Sequence, residues 1–316
     1  MFPVDLPDDL PGFLRRFGTD EQCREYLLKA RWPDGFRCSG CGHDRSWSQS
    51  KRLVEECAGC GKQHSVRAGT IFEQTKTGLS RWFLAIYLVT SSKGGISAME
   101  LKRQMGFASY QTAWSWLHKI RKAMVSPERA ALRERVEADE TYWGGPKPGK
   151  RGRGAAGKTI VAGAVESGDG KGKGRKLGRV RLAVIADASQ TSLGAFLDHN
   201  VAKPAKIATD GWCGYGKIDA AGFNHQPINL STAWGNASLR MPAIHLVLGL
   251  AKRWLLGTHH GAVGRKHLQA YLDEFVFRFN RRTAKSIAHR FARLIDNAVA
   301  VAPTTYATLV GKSVVA

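Results

Sequence analysis

Apolar residues recur every three to four positions in four stretches of the amino-terminal part of the chain. This spacing predicts helices, because it gathers the apolar side chains on one face. Gly94 and Gly95 separate the second helix from the third, and Gly106 precedes the fourth, so the last two form a helix-turn-helix-like pair. The four stretches are DEQCREYLLKARW, LSRWFLAIYLVTSS, SAMELKRQMG and SYQTAWSWLHKIRKAM. We therefore expect one domain at 1–75, which also holds the cysteine motifs below, and a helical module at 76–128.

From Val136 onward the pattern changes to short strands. The runs VEADETYW, TIVAGAVE and RVRLAVIAD follow one another as an antiparallel meander. A helix (SQTSLGAFLDHN), two strands (KIATDGW and HQPINL) and a long apolar helix come next. This order is typical of an RNase H-like domain and predicts an α/β fold at 133–284, with a mixed sheet flanked by helices. The segment 285–316 contains the amphipathic run AKSIAHRFARLIDNAVAV, which suits either a packing helix or a contact with another subunit.

The long apolar helix, MPAIHLVLGLAKRWLLGTHHG, carries two polar residues seven positions apart. At about 100° per residue, seven steps return a side chain to within about 20° of its first direction. His245 and Lys252 therefore share one face. Pro242 is suited to open this helix and Gly257 to close it. The positions with core spacing beside the polar pair are Ile244, Val247, Leu248, Ala251 and Leu255.

Carboxylates stand at two points of the predicted sheet. Alternation along VEADETYW places Glu137, Asp139 and Thr141 on one face, and Asp210 ends the apolar part of KIATDGW. Inward-facing carboxylates are costly unless a metal or a cation meets them. Two aspartates that converge from separate strands suit a pair of magnesium ions, because hard cations prefer oxygen ligands. Salt bridges to the many arginines are the other interpretation of these acids.

Four of the six cysteines form two CxxC motifs separated by fifteen residues: Cys38, Cys41, Cys57 and Cys60. Each motif points two sulfurs at one metal, so together they predict a tetrahedral structural zinc site in a zinc ribbon. A disulfide pair is the alternative, although no secretion signal is recognisable. Because four sulfurs already complete the site, His43 and His64 are interpreted as surface or DNA-facing residues.

The net charge of the chain indicates what kind of partner it binds. The chain of 316 residues has 48 Lys and Arg against 26 Asp and Glu, which leaves +22 at pH 7. This excess favours a polyanionic partner, most commonly nucleic acid, although a ribosome-like or merely soluble basic protein also fits it. The charge is densest in PKPGKRGRGAAGK and SGDGKGKGRKLG, which suit phosphate-binding loops or solvated insertions. Without a membrane span or a signal peptide, a cytoplasmic, nucleoid-associated protein of a prokaryote is expected.

Beyond the CxxC motifs, six segments together resemble the insertion-sequence transposases of the ISXO type, which combine a zinc ribbon with a DDE catalytic domain. They are AGTIFEQTKTGLSRWFLAIYLVTSSKGGISAMELKRQMG, YQTAWSWLHKIRKAM, VEADETYWGG, TDGWCGY, KRWLLGTHHG and HLQAYLDEFVFRFNRR. The resemblance extends from the amino-terminal helix to about Arg282. It implies a catalytic metal site of two aspartates and a third residue, at Asp139, Asp210 and His245, with Lys252 as an assisting lysine.

The third position departs from the acidic pattern of such families, because His245 stands where a glutamate is usual. An imidazole removes one negative charge and offers a nitrogen where magnesium prefers oxygen. We therefore expect the site to accept Mn²⁺ at least as well as Mg²⁺. Glu274 is a fallback third ligand, although a structural ion pair with a neighbouring arginine suits it better.

The resemblance implies metal-dependent DNA strand cleavage and strand transfer without a covalent protein intermediate. It also implies recognition of the element's terminal repeats, contacts with target DNA and self-association on DNA. A transposase-derived DNA-binding protein that has lost catalysis, and an RNase H-like nuclease, are the alternatives. The helical module is either a DNA reader or a connector with Trp114 and Trp116 in its core. The candidate DNA contacts are Tyr110, Gln111, Thr112, Ser115, His118, Lys119, Lys150, Arg151, Arg153, Lys252 and Arg253.

Overall fold

The computed structural model describes residues 6–49, 53–144, 158–168, 176–228, 240–261, 263–284 and 286–311. The chain forms two compact units, which we call the ribbon unit (residues 1–128 with 283–316) and the sheet unit (residues 129–282). The candidate phosphate-binding residues Lys150, Arg151 and Arg153 lie outside the described residues. Within the described part of the chain, no helix has the length and apolar character needed to cross a lipid bilayer.

In chain order, the described helices are α1 (Leu10–Phe17), α2 (Asp20–Arg31), α3 (Leu79–Ser91), α4 (Ala98–Met105), α5 (Tyr110–Ala123), α6 (Gln190–Asn200), α7 (Pro242–His259), α8 (Leu268–Asn280), α9 (Ile287–Ala300) and α10 (Tyr306–Val310). The described strands are β1 (Ser46–Gln49), β2 (Val54–Cys57), β3 (Gln63–Ser65), β4 (Arg135–Trp143), β5 (Thr159–Gly168), β6 (Lys176–Ile185), β7 (Lys206–Thr209) and β8 (Asn224–Pro227).

Side-chain caps determine where several helices of the ribbon unit begin. Thr19, Ser97 and Ser109 each accept a backbone N–H from the first turn of α2, α4 and α5. Gly106 ends α4 with a φ of 62°, a left-handed conformation that glycine adopts without a steric penalty. The structure therefore has three helices and a glycine turn in the module predicted at 76–128.

The carboxy-terminal run is a packing helix of the ribbon unit. The ring of Phe291 in α9 lies 5.4 Å from Phe13, 5.5 Å from Phe17 and 5.7 Å from Phe83, measured between ring centroids. All four rings are buried. Aromatic contacts of this kind bury a large apolar area and prefer tilted geometry. The amphipathic face of α9 is thus covered by helices of the same chain.

The strands β1, β2 and β3 form an antiparallel sheet, which an ion pair fastens to α2. Glu55 of β2 is only 4% exposed and pairs with the buried Arg24 of α2. The same carboxylate accepts hydrogen bonds from the hydroxyls of Ser46 and Ser48 at 2.9 Å. Because a buried ion pair needs its remaining hydrogen bonds satisfied, these hydroxyls stabilise the pair.

The sheet unit contains five strands in the order β6-β5-β4-β7-β8. β4, β5 and β6 form the predicted antiparallel meander, whereas β7 runs parallel to β4 and β8 parallel to β7. One face carries Ala138, Ala162 and Ala164 against α6, and the other packs on α7 and α8. A mixed sheet flanked by helices confirms the predicted fold class.

Helix α7 differs from the sequence prediction at its end. It begins at Pro242, and all five positions of the predicted apolar stripe are buried. Gly257 does not close the helix, whose last residue is His259. The cap residue that follows, His260, has a left-handed φ of 51°. The ring of His259 lies 5.0 Å from Trp254 and 4.7 Å from Tyr271, between centroids. These contacts hold the last turn and outweigh the roughly 1 kcal/mol that a glycine costs within a helix.

Candidate functional site

The two CxxC motifs fold into turns of the same geometry. In the first, the N–H of Gly42 donates to the carbonyl of Cys38 at 3.0 Å, and in the second that of Gly61 donates to Cys57 at 2.9 Å. Both glycines have left-handed φ values, 74° and 68°, which disfavour a side chain at these positions. In each motif the glycine two residues after the first cysteine also donates to its sulfur, at 3.3 Å. The repeated glycines thus shape two matching turns around one point.

The four sulfurs fit a tetrahedral zinc ion. Their Sγ atoms all lie within 4.8 Å of one another, with Cys38 and Cys60 3.6 Å apart and Cys41 and Cys57 3.5 Å apart. Four Zn–S bonds of about 2.3 Å place sulfurs about 3.8 Å apart, whereas a disulfide requires about 2.05 Å. The sequence prediction of a zinc-type cluster therefore fits this geometry better than the disulfide alternative.

His64 has a role at this cluster that the sequence interpretation missed. Its Nε2 lies 3.3 Å from the Sγ of Cys38. Burial raises the pKa of Cys38, but hydrogen bonds from the backbone of Cys41 and Gly40, then from His64 and Cys57, outweigh it and lower the pKa to about 5. A thiolate is the form that binds zinc. The register of β2 with β3, which carries His64, brings the imidazole to the sulfur, and no spacing rule in the sequence indicates it.

In the sheet unit, helix α7 lies along the face of β4 that carries Glu137, Asp139 and Thr141. Glu137 is fully buried and accepts the backbone N–H groups of Ala243 and Ile244, at 2.8 and 3.1 Å. Each of the three alternate residues meets α7, so the alternation predicted for VEADETYW is observed.

The structure brings His245 to Asp139. The Nδ1 of His245 is 3.7 Å from the Oδ2 of Asp139, and the side chains are 31% and 13% exposed. The Nε2 of His245 is buried and has no hydrogen-bond partner among the described residues. Buried polar atoms are normally hydrogen-bonded, so this nitrogen is available to a water molecule or a metal ion.

The parallel pairing of β4 with β7 brings Asp210 level with Asp139. Glu137 pairs with Ala208, an offset of 71 residues, and the same offset makes Asp139 level with Asp210. Adjacent strands are about 4.8 Å apart. Burial raises the pKa of Tyr215 well above its usual range, and the charges of Glu140, Asp139 and Asp210 add to this effect. Both aspartates therefore lie within electrostatic reach of one buried phenol.

A buried histidine supports the turn that carries Asp210. The Nε2 of His225 in β8 lies 2.9 Å from the hydroxyl of Thr209, which in turn accepts the N–H of Gly211 at 3.3 Å. Gly211 has a left-handed φ of 73°. The N–H of Trp212 donates to the Oδ1 of Asp210 at 3.0 Å. The TDGW turn is thus held from both sides of its aspartate.

Lys252 also faces β4. Its Nζ donates to the hydroxyl of Thr141 at 2.5 Å and lies 5.9 Å from the ring centroid of Trp143. Burial lowers the pKa of this lysine, the charge of Asp139 raises it, and Lys158 lowers it again. His245 and Lys252 therefore share one face of α7, as their spacing predicted.

The acidic and histidine residues do not form a compact cluster like that of the cysteines. Across the described residues, the cysteine group alone has three or more potential ligand atoms all within 4.8 Å of one another, so Asp139, Asp210 and His245 are not gathered that closely. Glu274 is 1% exposed and pairs with Arg278 of the same helix at 2.7 Å. This is the structural ion pair that the sequence favoured over a ligand role.

The candidate DNA contacts in the ribbon unit differ in exposure. Tyr110 is 45% exposed and Gln111 is also exposed, whereas the hydroxyl of Thr112 bonds to Ser109 in the cap of α5. Lys119 is half-buried, with its Nζ 6.0 Å from the ring of Trp82. His118 is 3% exposed, so its expected availability to DNA is wrong for this conformation. Arg253 of α7, in the sheet unit, is exposed, and Ser115 is half-buried.

The fold and these sites define a class of protein: a zinc ribbon ahead of an RNase H-like domain with acidic residues on its central strand. Residues 131–280 match the family of the ISXO2-like transposase domain, and residues 18–63 match the transposase zinc-ribbon domain. The chain thus matches both domains that the resemblance implied, a transposase zinc ribbon and an ISXO2-like transposase domain, which confirms the resemblance. A protein of Halobacterium salinarum, called "Uncharacterized protein in transposable element ISH50", is 25% identical over 292 residues, covering 84% of this chain and 92% of the relative.

Proposed function

We propose that this protein binds the terminal repeats of an insertion sequence and catalyses metal-dependent cleavage and joining of DNA strands. Asp139, Asp210 and His245 hold Mg²⁺ or Mn²⁺ in this proposal, and the four cysteines hold a structural Zn²⁺. The supporting observation is the alignment of α7 with β4, which sets an imidazole beside a carboxylate on the central strand of the sheet.

The donor atoms suit divalent ions. Two carboxylates supply the oxygens that such ions prefer, and the buried Nε2 of His245, which lacks a hydrogen-bond partner among the described residues, supplies a nitrogen. When bound, such ions would supply the Lewis acidity needed to activate water or a 3′-hydroxyl and to stabilise the departing oxygen.

The side chains around the metal ligands orient the DNA. Lys252 presents a positive charge to a phosphate next to the cleaved bond, and its hydrogen bond to Thr141 keeps the ammonium on the same face of β4 as Asp139. Nearby Arg253 is exposed and contacts the backbone of the DNA. Asp210 keeps its orientation through the backbone N–H of Trp212.

End recognition belongs to the ribbon unit in this proposal. Exposed Tyr110 and Gln111 begin the second helix of a helix-turn-helix-like pair, where base contacts are made in such modules. Thr112 and Lys119 follow on the same helix, and Lys150, Arg151 and Arg153 bind phosphates of flanking or target DNA. Since an element has two ends, two or more copies of the chain assemble on the DNA.

One observation favours a second candidate function, that of a DNA-binding protein without catalysis. The Nδ1 of His245 already lies 3.7 Å from the Oδ2 of Asp139, so the imidazole itself can occupy the carboxylate oxygen that a metal ion needs. In that arrangement the site holds no divalent ion, and the fold serves DNA binding alone.

Strand cleavage and joining on a labelled duplex with the element's own ends tests both candidates. We expect wild type to cleave and join with Mg²⁺ or Mn²⁺, and Asp210→Ala and His245→Ala to lose both steps. Asp198→Ala serves as the matched control, because Asp198 is an exposed residue of α6 paired with Lys203.

Three other outcomes would contradict the proposal. Specific binding of the ends without cleavage under either metal means a DNA-binding protein. Cleavage that ignores the terminal repeats and never joins strands means a nuclease. Full activity of His245→Ala removes His245 from the metal site.

A further inference from the structure

The amino-terminal end of α7 is capped from another element. Its N-cap residue, Met241, offers no side-chain acceptor, and Pro242 has no N–H to donate. The next two donors, the N–H groups of Ala243 and Ile244, both bond to the Oε2 of Glu137. A carboxylate at this end also interacts favourably with the helix dipole. Glu137 is in β4, 106 residues before Ala243 in the chain.

The contacts between α7 and β4 agree in length along both elements. The four residue steps of β4 from Glu137 to Thr141 span about 13 Å at about 3.3 Å per residue. The eight residue steps of α7 from Ile244 to Lys252 span about 12 Å at about 1.5 Å per residue. The helix is therefore held at both ends of the stretch that faces Asp139, by Glu137 at one end and Thr141 at the other.

Close packing fixes the distance of α7 from the sheet. Gly163 of β5 is the register partner of Asp139. A Cβ on this glycine would lie 3.0 Å from Ile244 and 3.2 Å from Leu248, both in α7. The helix thus sits as near the sheet as the glycine allows.

We infer that Glu137 is a positioning residue, which sets the register of α7 along β4 and thereby places His245 beside Asp139. The inference rests on the proposed function only in naming those two residues as metal ligands. The property of Glu137 that sets this register is how far its acceptor oxygen extends toward the N–H groups of Ala243 and Ile244, because the contact with α7 is made by hydrogen bonds.

Two conservative variants separate reach from charge. Glu137→Gln keeps the side-chain length and an acceptor oxygen but removes the charge. Glu137→Asp keeps the charge but withdraws the acceptor by one carbon–carbon bond, about 1.5 Å. If reach is decisive, Gln preserves the position of α7 and Asp does not; a role of the charge alone predicts the reverse.

Hydrogen exchange of the full-length protein measures this without catalysis. We expect Glu137→Asp to speed exchange of the amides of Ala243 and Ile244 about tenfold or more, with later turns of α7 unchanged, because these buried donors lose their acceptor. Glu137→Gln should remain near wild type. Glu166→Asp is the matched control, since Glu166 also accepts two backbone N–H groups, those of Arg133 and Arg179, away from α7.

Cleavage kinetics then connect the position to function. For an active wild type, Glu137→Asp should lower kcat about a hundredfold and leave KM for the DNA within about twofold, since small misplacements of reacting groups have effects of this size. Glu137→Gln should keep kcat close to the wild-type value.

Two results would overturn the inference. One is equal exchange of the amides of Ala243 and Ile244 in Glu137→Asp and Glu137→Gln. The other is a uniform increase in amide exchange across the sheet unit in Glu137→Asp, with no excess at these two amides over the Glu166→Asp control. If wild type shows no cleavage, the proposed function fails, whereas the exchange data still decide the role of Glu137.

Discussion

If the proposed site is correct, we expect His245 to determine which divalent ion the site prefers. Its nitrogen replaces a carboxylate oxygen, and manganese accepts nitrogen ligands more readily than magnesium does. We therefore expect His245→Glu to raise the Mg²⁺-supported cleavage rate relative to the Mn²⁺-supported rate by about tenfold, an effect of about 1.4 kcal/mol. The measurement is single-turnover cleavage in titrations of each metal.

A histidine-to-glutamate substitution at a surface position separates the effect of losing a metal ligand from the effect of changing the net charge. His199 is exposed on α6, so His199→Glu alters the charge of the same unit without touching β4 or α7. This variant should keep the wild-type ratio of the two metals. An unchanged ratio in His245→Glu would show that His245 does not hold the ion.

Asp273 makes the stability of the sheet unit depend on pH. Burial raises its pKa to about 6, although the side chain of Gln269 and the charge of Arg129 oppose the shift. An unfolded aspartate titrates near 3.9. Since the pKa is higher in the folded state, the favourable contribution is complete below about pH 4 and is lost as the pH rises to about 6.

Asp273→Asn should therefore stabilise the sheet unit at pH 7.5 by up to about 3 kcal/mol, and much less at pH 4.5. The amide oxygen still accepts the hydrogen bond that Gln269 donates at 2.9 Å. Urea unfolding at the two pH values measures the difference. In exposed Asp187, hydrogen bonds from Ser189 and Ser192 lower the pKa, so Asp187→Asn should not stabilise at pH 7.5. An equal gain for Asp273→Asn at both pH values would contradict the assignment.

At the scale of elements, α8 covers the free edge of the sheet at β6. The Oδ1 of Asn280 accepts the N–H of Val180 at 2.7 Å, and its Nδ2 donates to the carbonyl of the same residue at 3.1 Å. Gln269 makes a similar pair of contacts with the N–H of Val184 and the carbonyl of Leu182. These side chains occupy groups that would otherwise pair with another strand.

Asn280→Ala should destabilise the sheet unit by about 1–3 kcal/mol, because it leaves the N–H and the carbonyl of buried Val180 without their partner. It should also promote association through the uncovered edge. Urea unfolding and sedimentation at several concentrations measure the two effects. Gln190→Ala, at an exposed site on α6, is the control. Unchanged stability would mean that water replaces the amide at no cost.

The sequence predicted those parts of the site that depend on periodicity within one element. The two-residue period of β4 put Asp139 and Thr141 on one face, and the helical period of α7 put His245 and Lys252 on another, so both faces were predictable. Their mutual contact does not follow from either period and was expected only from the family resemblance, because it involves distant acceptors such as Glu137, 106 residues before Ala243. Such distant acceptors leave no local pattern.

Packing between elements explains the predictions that were wrong or incomplete. Gly257 is a good terminator in isolation, but the rings around His259 extend α7 past it. His118 lies on a helix whose surface pattern suggested exposure, yet the ribbon unit buries it. In both cases contacts with other elements outweigh the local preference.

At the scale of the whole molecule, the three-stranded sheet of the ribbon unit and the five-stranded sheet depend on different sources of stability. The sheet unit has an apolar core on each face of five strands. The strands β1, β2 and β3 have only three or four residues each, too few for a stable sheet in water without further support. The cysteine cluster, through the zinc ion that its geometry fits, would supply that support together with the ion pair between Arg24 and Glu55.

Loss of zinc should therefore unfold the ribbon locally and leave the sheet unit intact. Cys57→Ser removes one of four ligands, and a structural zinc site contributes its binding energy to folding. We expect the variant to lose its zinc and to show fast amide exchange over residues 38–65, with unchanged exchange in residues 176–185 of β6. Zinc content and hydrogen exchange measure the two effects, and Cys213→Ser, at an exposed cysteine far along the chain, should keep the metal.

Retained zinc and retained protection of the amides in Cys57→Ser would show that β1, β2 and β3 remain folded without an intact cluster. Equal loss of protection in β6 would show that the two units do not unfold separately.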